Sequence, residues 1–387
     1  MGGKNAGGVV RGRGICYNAD ETRKNAGRDR AEEKRNVAKG RGECVQGKGR
    51  EEMYRACGLC PRKCGCDRFS VRGFCGMGIF PRIARAAPHL WEEPCIAGTD
   101  GKGTGAVFFS GCTLKCAYCQ NRALSHDNFG AEVDTKRLSE IFAELEAKDV
   151  HSLDLVTGTM FIPSILDALD LRRPGVPVVW NTSGYERAET LKMLEGYVQI
   201  YLPDLKHVSS RLSSLCAGAG DYFRRASAAL LEMRRQVGEN VYDENGLLQR
   251  GMVVRHLVLP GCTADAREVL RFLASELRGV PVSIMSQYTP IPECHIPGMD
   301  RRVTDREYRR VLEWAEELGI TGYSQERTSA EREYTPEFNL EGVGAERCPS
   351  GAFAEGESKA ETQWGPQRPE NSPADCFQRG RAGRPRE

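Results

Sequence analysis

Residues 106–119 read Ala106-Val107-Phe108-Phe109-Ser110-Gly111-Cys112-Thr113-Leu114-Lys115-Cys116-Ala117-Tyr118-Cys119. The first four residues form an apolar run between glycines, which predicts a short buried strand. Three cysteines follow, with three and then two residues between them. They therefore lie on a loop at the carboxyl end of the strand, the edge at which parallel barrels place their chemistry.

Strand and helix patterns alternate from this point to about residue 318. We predict strands at 106–109, 153–156, 178–180, 198–202, 253–259 and 282–285. We predict helices at 163–171, 186–194, 222–236, 264–277 and 305–318, and one more that begins at Asp134. Six strand–helix units imply an α/β fold, a parallel sheet that curls toward a partial (β/α)6 barrel. Periodicity alone also fits an open, doubly wound sheet.

The two ends of the chain differ in composition from this centre. Residues 1–50 carry thirteen Lys and Arg against six Asp and Glu, with few large apolar side chains, so we expect a disordered basic tail. Residues 328–387 are polar and rich in Gly, Pro and Glu, which predicts a disordered polar tail. Between the tails we place a cysteine-rich segment at 51–100 and the core domain at 101–327.

Bulk charge indicates no particular partner, because 55 Lys and Arg nearly balance 53 Asp and Glu. A solvated basic tail is favoured over a nucleic-acid-binding arm. No apolar run reaches about 18 residues, and the first residues lack the apolar core of a secretory signal. We therefore expect a cytoplasmic protein without a membrane partner. In that compartment sixteen cysteines, bunched at short gaps, favour metal binding over disulfides.

The loop cysteines Cys112, Cys116 and Cys119 suit three corners of a [4Fe–4S] cube. No fourth cysteine follows at ferredoxin spacing, so one iron keeps an open position, as catalytic metal centres do. S-adenosylmethionine (SAM) has the amino and carboxylate groups that would chelate that iron. A zinc site with a fourth ligand from elsewhere in the fold is the alternative.

The pattern Cys-x₃-Cys-x-aromatic-Cys after a buried strand resembles the signature of the radical SAM superfamily, with Tyr118 at the aromatic position. From Cys57 to about Tyr323 the sequence is similar to the branch related to pyruvate formate-lyase activating enzyme, in particular to uncharacterised homologues with a cysteine-rich N-terminal segment. The other similar stretches are Cys57-Gly58-Leu59-Cys60-Pro61-Arg62-Lys63-Cys64, Asn181-Thr182-Ser183-Gly184-Tyr185, Leu202-Pro203-Asp204-Leu205-Lys206, Arg255-His256-Leu257-Val258-Leu259-Pro260-Gly261 and Met285-Ser286-Gln287-Tyr288.

This resemblance implies a barrel that carries a SAM-bound [4Fe–4S] cluster. It implies reductive cleavage of SAM to methionine and a 5′-deoxyadenosyl radical, which takes a hydrogen atom from a substrate. Tyr118 is implied to lie near the SAM adenine, and Lys206 to pair with the SAM carboxylate. Thr157-Gly158-Thr159 stands where the family has a Gly-Gly-Glu stretch that binds the SAM amino group.

Three further residues are implied at the cofactor site. Asp204 is implied as a ligand of a monovalent cation, and Asn181 stands where the family has the second Asp of that site. Ser183 belongs to the same stretch as Asn181 and is included among the cofactor-binding residues.

A second cysteine group reads Cys-x₂-Cys-x₃-Cys-x₁₀-Cys, at Cys57, Cys60, Cys64 and Cys75. Four thiolates without an open position suit structural zinc or a second iron–sulfur cluster, and we leave that choice open. Cys66 is an extra thiol within reach, and a reduced, metal-free segment is the alternative.

We interpret the isolated cysteines and histidines as structural residues. Cys216, Cys262 and Cys294 are interpreted as buried small hydrophobes, although Cys294 follows the sixth strand and could reach the barrel mouth. His89 and His256 are left out of the catalytic set, because radical abstraction needs no general base.

The leading functional hypothesis is a radical SAM oxidoreductase that resembles a glycyl-radical-enzyme activating enzyme and acts on a partner protein. The alternatives are a radical SAM enzyme with a small-molecule or RNA substrate, and a non-catalytic, metal-stabilised binding module. A one-electron reductant such as flavodoxin or ferredoxin is the expected partner.

Overall fold

The computed structural model describes residues 50–324 and 336–344. Apart from Arg50, the predicted basic tail lies outside the described residues, as does the predicted polar tail apart from 336–344.

The strands are β1 (Arg82–His89), β2 (Thr104–Phe109), β3 (Ala131–Glu132), β4 (Leu153–Val156), β5 (Val178–Thr182), β6 (Ile200–Pro203), β7 (Val241–Tyr242), β8 (Leu248–Met252), β9 (Val254–Leu257), β10 (Val282–Met285) and β11 (Gly322–Ser324). The α-helices are α1 (Pro94–Ala97), α2 (Arg122–Ser125), α3 (Thr135–Glu146), α4 (Ile162–Leu171), α5 (Ala188–Leu191), α6 (Ser210–Ala217), α7 (Tyr222–Val237), α8 (Thr263–Glu276) and α9 (Asp305–Glu317). Single 3₁₀ turns lie at Glu51–Tyr54, Thr159–Phe161 and Lys192–Leu194.

The six predicted strands are all present, as β2, β4, β5, β6, β9 and β10. Neighbours in this series pair in parallel, except that β6 and β9 are joined by a single parallel bridge between Asp204 and Arg255. Two further strands also pair in parallel, β8 with β6 and β11 with β10. The predicted α/β fold with a parallel sheet is therefore confirmed.

The sheet curves until distant parts of it meet. Arg255 on β9 donates a hydrogen bond to Asn181 on β5, at 2.6 Å, and to Glu92, which follows β1, at 3.2 Å. The concave face therefore closes around polar side chains that come from widely separated strands. The edges of the curve are β11 and the antiparallel strands β1 and β3.

The helices cover the convex face, where most of the apolar core lies. Helix α3 begins as predicted, because the Asp134 carboxylate accepts a hydrogen bond from the Arg137 N–H at 2.7 Å. Helix α4 carries Pro163 in its first turn, where a missing N–H costs no hydrogen bond. The predicted helix at 186–194 is instead the short α5 followed by a 3₁₀ turn. Within 50–324 and 336–344, no helix has the length and apolarity needed to span a membrane.

Residues 336–344 do not follow the prediction of a disordered polar tail. The Leu340 N–H donates to the Ala84 carbonyl at 3.0 Å, and the Ala86 N–H donates to the Glu341 carbonyl at 2.8 Å. Val343 is completely buried. The prediction of disorder is wrong for these nine residues, because two hydrogen bonds and one buried apolar side chain dock them on the edge of β1.

Candidate iron–sulfur and cofactor site

The cysteine loop begins where β2 ends. Gly111 has a φ of +86°, and a side chain there would approach Met77 Cγ to 2.6 Å, so this position requires glycine. The Leu114 N–H donates to Cys112 Sγ at 3.4 Å, and the Cys119 N–H donates to the Cys116 carbonyl at 3.0 Å. These contacts fix a tight loop with three thiols on it.

The loop thiols lie near one another and near a partly buried cation. Burial raises the pKa of Cys116 to about 12, with Cys112 and Cys119 adding to the rise and the Lys206 ammonium opposing it. Burial also raises the pKa of Cys119, and Lys206 again opposes the rise. Lys206, at the end of β6, therefore supplies positive charge that favours the thiolate form required of metal ligands.

This donor set suits a cluster. Among the residues described, no three Cys, His, Asp or Glu side chains form a group that could hold a metal ion. A [4Fe–4S] cube, in contrast, binds each thiolate through a different iron. Cys112, Cys116 and Cys119, whose charges act on one another beside Lys206, would hold such a cube.

Lys206 belongs to a partly buried ionic network. Its ammonium contacts Asp204 Oδ2 at 2.6 Å, and the Arg255 guanidinium contacts Asp204 Oδ1 at 3.0 Å. Burial alone would raise the pKa of Asp204, but the two cations outweigh that effect and hold the pKa below its usual value. Asp204 is therefore a carboxylate that fixes both cations.

Arg255 also occupies the position expected for a monovalent cation. Its guanidinium joins Asp204 Oδ1 to Asn181 Oδ1, the latter at 2.6 Å. These are side-chain oxygens of the two residues on which the predicted cation site depends. The cation stays a prediction, and Arg255 would compete with it for the same oxygens.

More carboxylates lie deeper on the concave face. Asp154 Oδ2 and Glu92 Oε1 both accept hydrogen bonds from Asn181 Nδ2, at 3.2 and 3.4 Å. Burial raises the pKa of Asp154 well above its usual value and raises that of Glu93 to about 7. Carboxylates outnumber the fixed cations here, so part of this group is held in the protonated form near neutral pH.

The Thr157–Thr159 stretch is held by contacts within the protein. Thr157 has a φ of +62°, a strained value for a β-branched residue, and its N–H donates to the Asn181 carbonyl at 2.8 Å. The Thr159 and Thr182 hydroxyls each donate to Glu186 Oε1 at 2.6 Å. The Thr159 hydroxyl, predicted as a contact of the SAM amino group, is therefore bonded to the buried Glu186.

The aromatic residue of the motif is also tied to the barrel. The Tyr118 hydroxyl lies 3.1 Å from His207 Nε2, and His207 Nδ1 lies 3.6 Å from Asp265. The Ser183 carbonyl accepts a hydrogen bond from the Tyr222 hydroxyl at 2.9 Å. Tyr118 is buried, and its role at a cofactor stays a prediction.

The cysteine-rich knuckle, residues 57–75, brings several thiols together. Cys64 Sγ and Cys66 Sγ lie 3.5 and 3.6 Å from the position that a Gly73 Cβ would occupy. Burial raises the pKa of Cys60 to about 12, and the neighbouring Cys75, Cys57 and Cys64 add to that rise. Among the described residues of the knuckle, too, no three Cys, His, Asp or Glu side chains form a group that could hold a metal ion. Zinc or a second cluster at this site stays a prediction.

The knuckle is clamped to the cysteine loop. Arg62 donates to the carbonyls of Thr113, Ala217 and Gly218, at 2.9, 2.8 and 2.7 Å. Its guanidinium also stacks over the Phe74 ring at 4.1 Å. One arginine therefore joins the knuckle, the cysteine loop and the end of α6.

Two of the three isolated cysteines are buried as predicted, and the third is not. Cys216 and Cys294 are buried in the main core, and Cys262 is half-buried against it. Burial lowers the pKa of His89 and of His256 to about 4, so both rings are neutral near pH 7.

Known proteins share this sequence pattern. Residues 99–202, which include the cysteine loop, match the family described as a 4Fe-4S single cluster domain. An uncharacterised protein of Methanocaldococcus jannaschii is 26% identical over 285 residues, which cover 70% of this chain and 77% of that protein. A pyruvate formate-lyase-activating enzyme of Clostridium pasteurianum is 26% identical over 188 residues, 47% of this chain and 72% of that enzyme. These similarities agree with the resemblance of the cysteine loop to the radical SAM signature.

Solved structures include a radical SAM methyltransferase from Sphaerobacter thermophilus. It is 17% identical to this chain, with a TM-score of 0.39, and the match covers 57% of this chain and 65% of that one.

Sequence reasoning missed several residues of this candidate site. Arg255 begins one of the stretches that are similar to the family, and Glu186 directly follows another. Because a buried charge needs a partner, Arg255 could have been paired with Asp204 from the sequence. Glu92 and His207 gave no such signal, because only the folded barrel brings them to the site.

Glu186 predicts a specific pH dependence of stability. Burial raises its pKa from 4.5 to about 7, so its stabilising effect is complete below 4.5 and is lost as the pH rises through 7. The free energy of unfolding of the parent, relative to Glu186→Gln, should therefore fall by roughly 2–3 kcal/mol between about pH 5 and pH 8. Glu189→Gln, at an exposed carboxylate nearby, is the control. Parallel pH profiles for the parent and Glu186→Gln would contradict this assignment.

The knuckle is predicted to hold a metal of its own. Cys60→Ala with Cys64→Ala should remove that metal and lower the melting temperature, because metal binding is coupled to folding. Cys95→Ala, at a buried thiol in a different apolar cluster, is the control. Elemental analysis of a Cys112, Cys116, Cys119 to Ala variant identifies the metal. If neither zinc nor iron is found after anaerobic preparation with both, this second site does not exist.

Proposed function

We propose that this protein cleaves SAM at a [4Fe–4S] cluster held by Cys112, Cys116 and Cys119. When bound, the cluster supplies the electron that splits SAM into methionine and a 5′-deoxyadenosyl radical, which takes a hydrogen atom from the substrate. A reducing compartment such as the cytoplasm keeps the thiols available as ligands.

One observation carries the proposal: a partly buried lysine lies beside the cysteine loop. Lys206 is fixed by Asp204 at 2.6 Å, and its charge acts on Cys116 and Cys119. Burial would lower the pKa of Lys206, but Asp204 and then Cys116 outweigh that effect and raise it. A cation beside the cysteine loop would suit the carboxylate of SAM, which would be bound by a charge-assisted hydrogen bond.

The chain's own residues orient SAM and exclude water. Lys206 would bind the carboxylate, the backbone around Tyr118 would contact the adenine, and the Thr157–Thr159 stretch would contact the amino group. Asp204 holds Lys206 in place through their contact at 2.6 Å. Because these groups are fixed by buried contacts, little reorganisation accompanies binding.

The substrate we propose is a partner protein, as for a glycyl-radical-enzyme activating enzyme. The support is the likeness to the Clostridium pasteurianum enzyme, whose name states that it activates pyruvate formate-lyase. We propose a flavodoxin or ferredoxin as the reductant. Burial, followed by Arg122 and Lys115, lowers the pKa of His126, so two cations lie close to the cysteine loop. Such charge suits an acidic electron carrier. Transfer of hydrogen from the partner protein into 5′-deoxyadenosine, measured with deuterated protein, tests this substrate class.

Changing Cys112, Cys116 and Cys119 to Ala should abolish 5′-deoxyadenosine formation and remove about four irons per chain, the content of one cube. A matched control replaces Cys216, Cys262 and Cys294 with Ala, since these three are interpreted as packing residues. The readouts are iron content and 5′-deoxyadenosine after anaerobic reconstitution with dithionite. Full iron content and SAM cleavage in the first variant would refute the cluster assignment.

Lys206→Ala should weaken SAM binding by about tenfold or more, because an unpaired buried charge costs roughly 1–3 kcal/mol. The cluster should be retained, and its absorbance provides the check on folding. Lys206→Arg should recover part of the affinity, and Lys136→Ala, at an exposed lysine of α3, should have no effect. The dissociation constant is measured by equilibrium dialysis with labelled SAM. Unchanged affinity in an intact-cluster Lys206→Ala protein would exclude this contact.

A further inference from the structure

Residues 336–344, here called the strap, run along the free edge of β1. The Leu340 N–H and the Glu341 carbonyl pair with the backbone of Ala84 and Ala86. The Glu341 carboxylate contacts Arg85 at 2.8 Å. Leu340 and Gly342 have φ values of +65° and +74°, and residues 341–343 form a turn, so the strap docks on the edge of β1 as a turn and not as a further strand.

The strap is anchored on the convex side as well. Arg137 of α3 donates to the carbonyls of Val343 and Gly342, at 3.2 and 3.3 Å, and Val343 is completely buried. Gly342 has a φ of +74°, and a side chain at this position would overlap the Ala86 carbonyl oxygen. Only glycine allows this approach, so the docked position is specific.

Phe338 extends from the strap to the concave face. Its ring packs edge-on against Phe108 of β2, with 5.6 Å between centroids. Inward-facing residues of β1, β2 and β4 and two residues of α2 complete this small cluster: Ala84, Ala106, Phe108, Ala123, Leu124 and Val156.

This cluster borders the candidate cofactor site on two sides. Val156 directly precedes Thr157, and α2 follows Cys119 after two residues. The strap also lies at the sheet edge opposite β11, and within the described residues no strand pairing joins β11 to β1. Phe338 therefore stands at the open side of the partial barrel, level with the cysteine loop.

We propose that the strap closes this side of the barrel and that Phe338 forms a wall of the substrate cavity, limiting the size of the group that reaches the radical. The identification of this face as the substrate side rests on the proposed function. Phe338 is a specificity-determining residue in this account and takes no part in the chemistry.

The docking of the strap is tested by hydrogen exchange on the full-length, metal-free protein. Gly342→Val should release the strap, so that the Ala86 amide loses its partner and exchanges at least about tenfold faster. Gly196→Val is the matched control, because Gly196 has a similar φ of +79° but open space around it. Unchanged exchange at Ala86 in Gly342→Val would overturn the docking.

The wall is tested with the apolar dye ANS on the same metal-free protein. Phe338→Ala should keep Ala86 protected, because the backbone contacts remain, but should expose Phe108 and raise dye fluorescence several-fold. Glu337→Ala, at the exposed neighbour, should match the parent. Equal fluorescence in the parent and Phe338→Ala would overturn the wall. Hydrogen exchange at Ala86 and ANS fluorescence do not depend on the cluster. A failure of SAM cleavage in the parent would therefore count against the proposed function only, and both measurements would still test the strap.

Discussion

The centre of the barrel depends on one partly buried ionic contact, between Asp204 and the cations Lys206 and Arg255. Moving three charged groups away from water is costly, and only close pairing offsets the cost. The contact also joins strands that pair by a single bridge, since Asp204 directly follows β6 and Arg255 lies on β9. The same contact therefore links these two strands and fixes the position of Lys206.

The same ionic network places its two cations at different parts of the concave face. Lys206 faces upward to the thiols, where positive charge favours thiolate ligands. Arg255 faces inward to Asn181 and Glu92, among carboxylates whose pKa values burial raises. The Arg255 guanidinium therefore offsets the charge of Asp204 at the carboxyl end of β6. Burial raises the pKa of carboxyl groups such as Asp154, which favours their uncharged form and lowers the cost of burying them.

The cysteine loop is supported from outside the barrel by the knuckle. Arg62 bonds three carbonyls on the loop and α6, and Gly111 allows Met77 to approach closely. Loss of order in the knuckle would therefore reach the cluster ligands through direct contacts. The knuckle therefore helps to position the cysteine loop, whichever metal it binds.

Sequence reasoning located the parallel strands well, because each is a short apolar run at regular spacing, as in Leu153–Val156. It missed β1, whose Arg82–His89 stretch contains small residues and a proline rather than an apolar run. The cysteine loop could be predicted because its ligands are adjacent in sequence. Arg255, Glu186 and Phe338 could not be placed, since their roles arise from contacts between segments far apart in the chain. The disorder expected for the strap failed for a related reason: Val343 and Gly342 gain their stabilisation only from a partner surface on β1 and α3.

The central claim is that SAM binds the open iron of a three-cysteine cluster. Electron paramagnetic resonance of the anaerobically reconstituted, dithionite-reduced protein tests it most directly, with spectra recorded before and after addition of SAM. We expect a [4Fe–4S]⁺ signal whose g values and line shape change when SAM is added, because a new ligand enters the coordination sphere of one iron. An identical signal in the presence of saturating SAM would contradict the account.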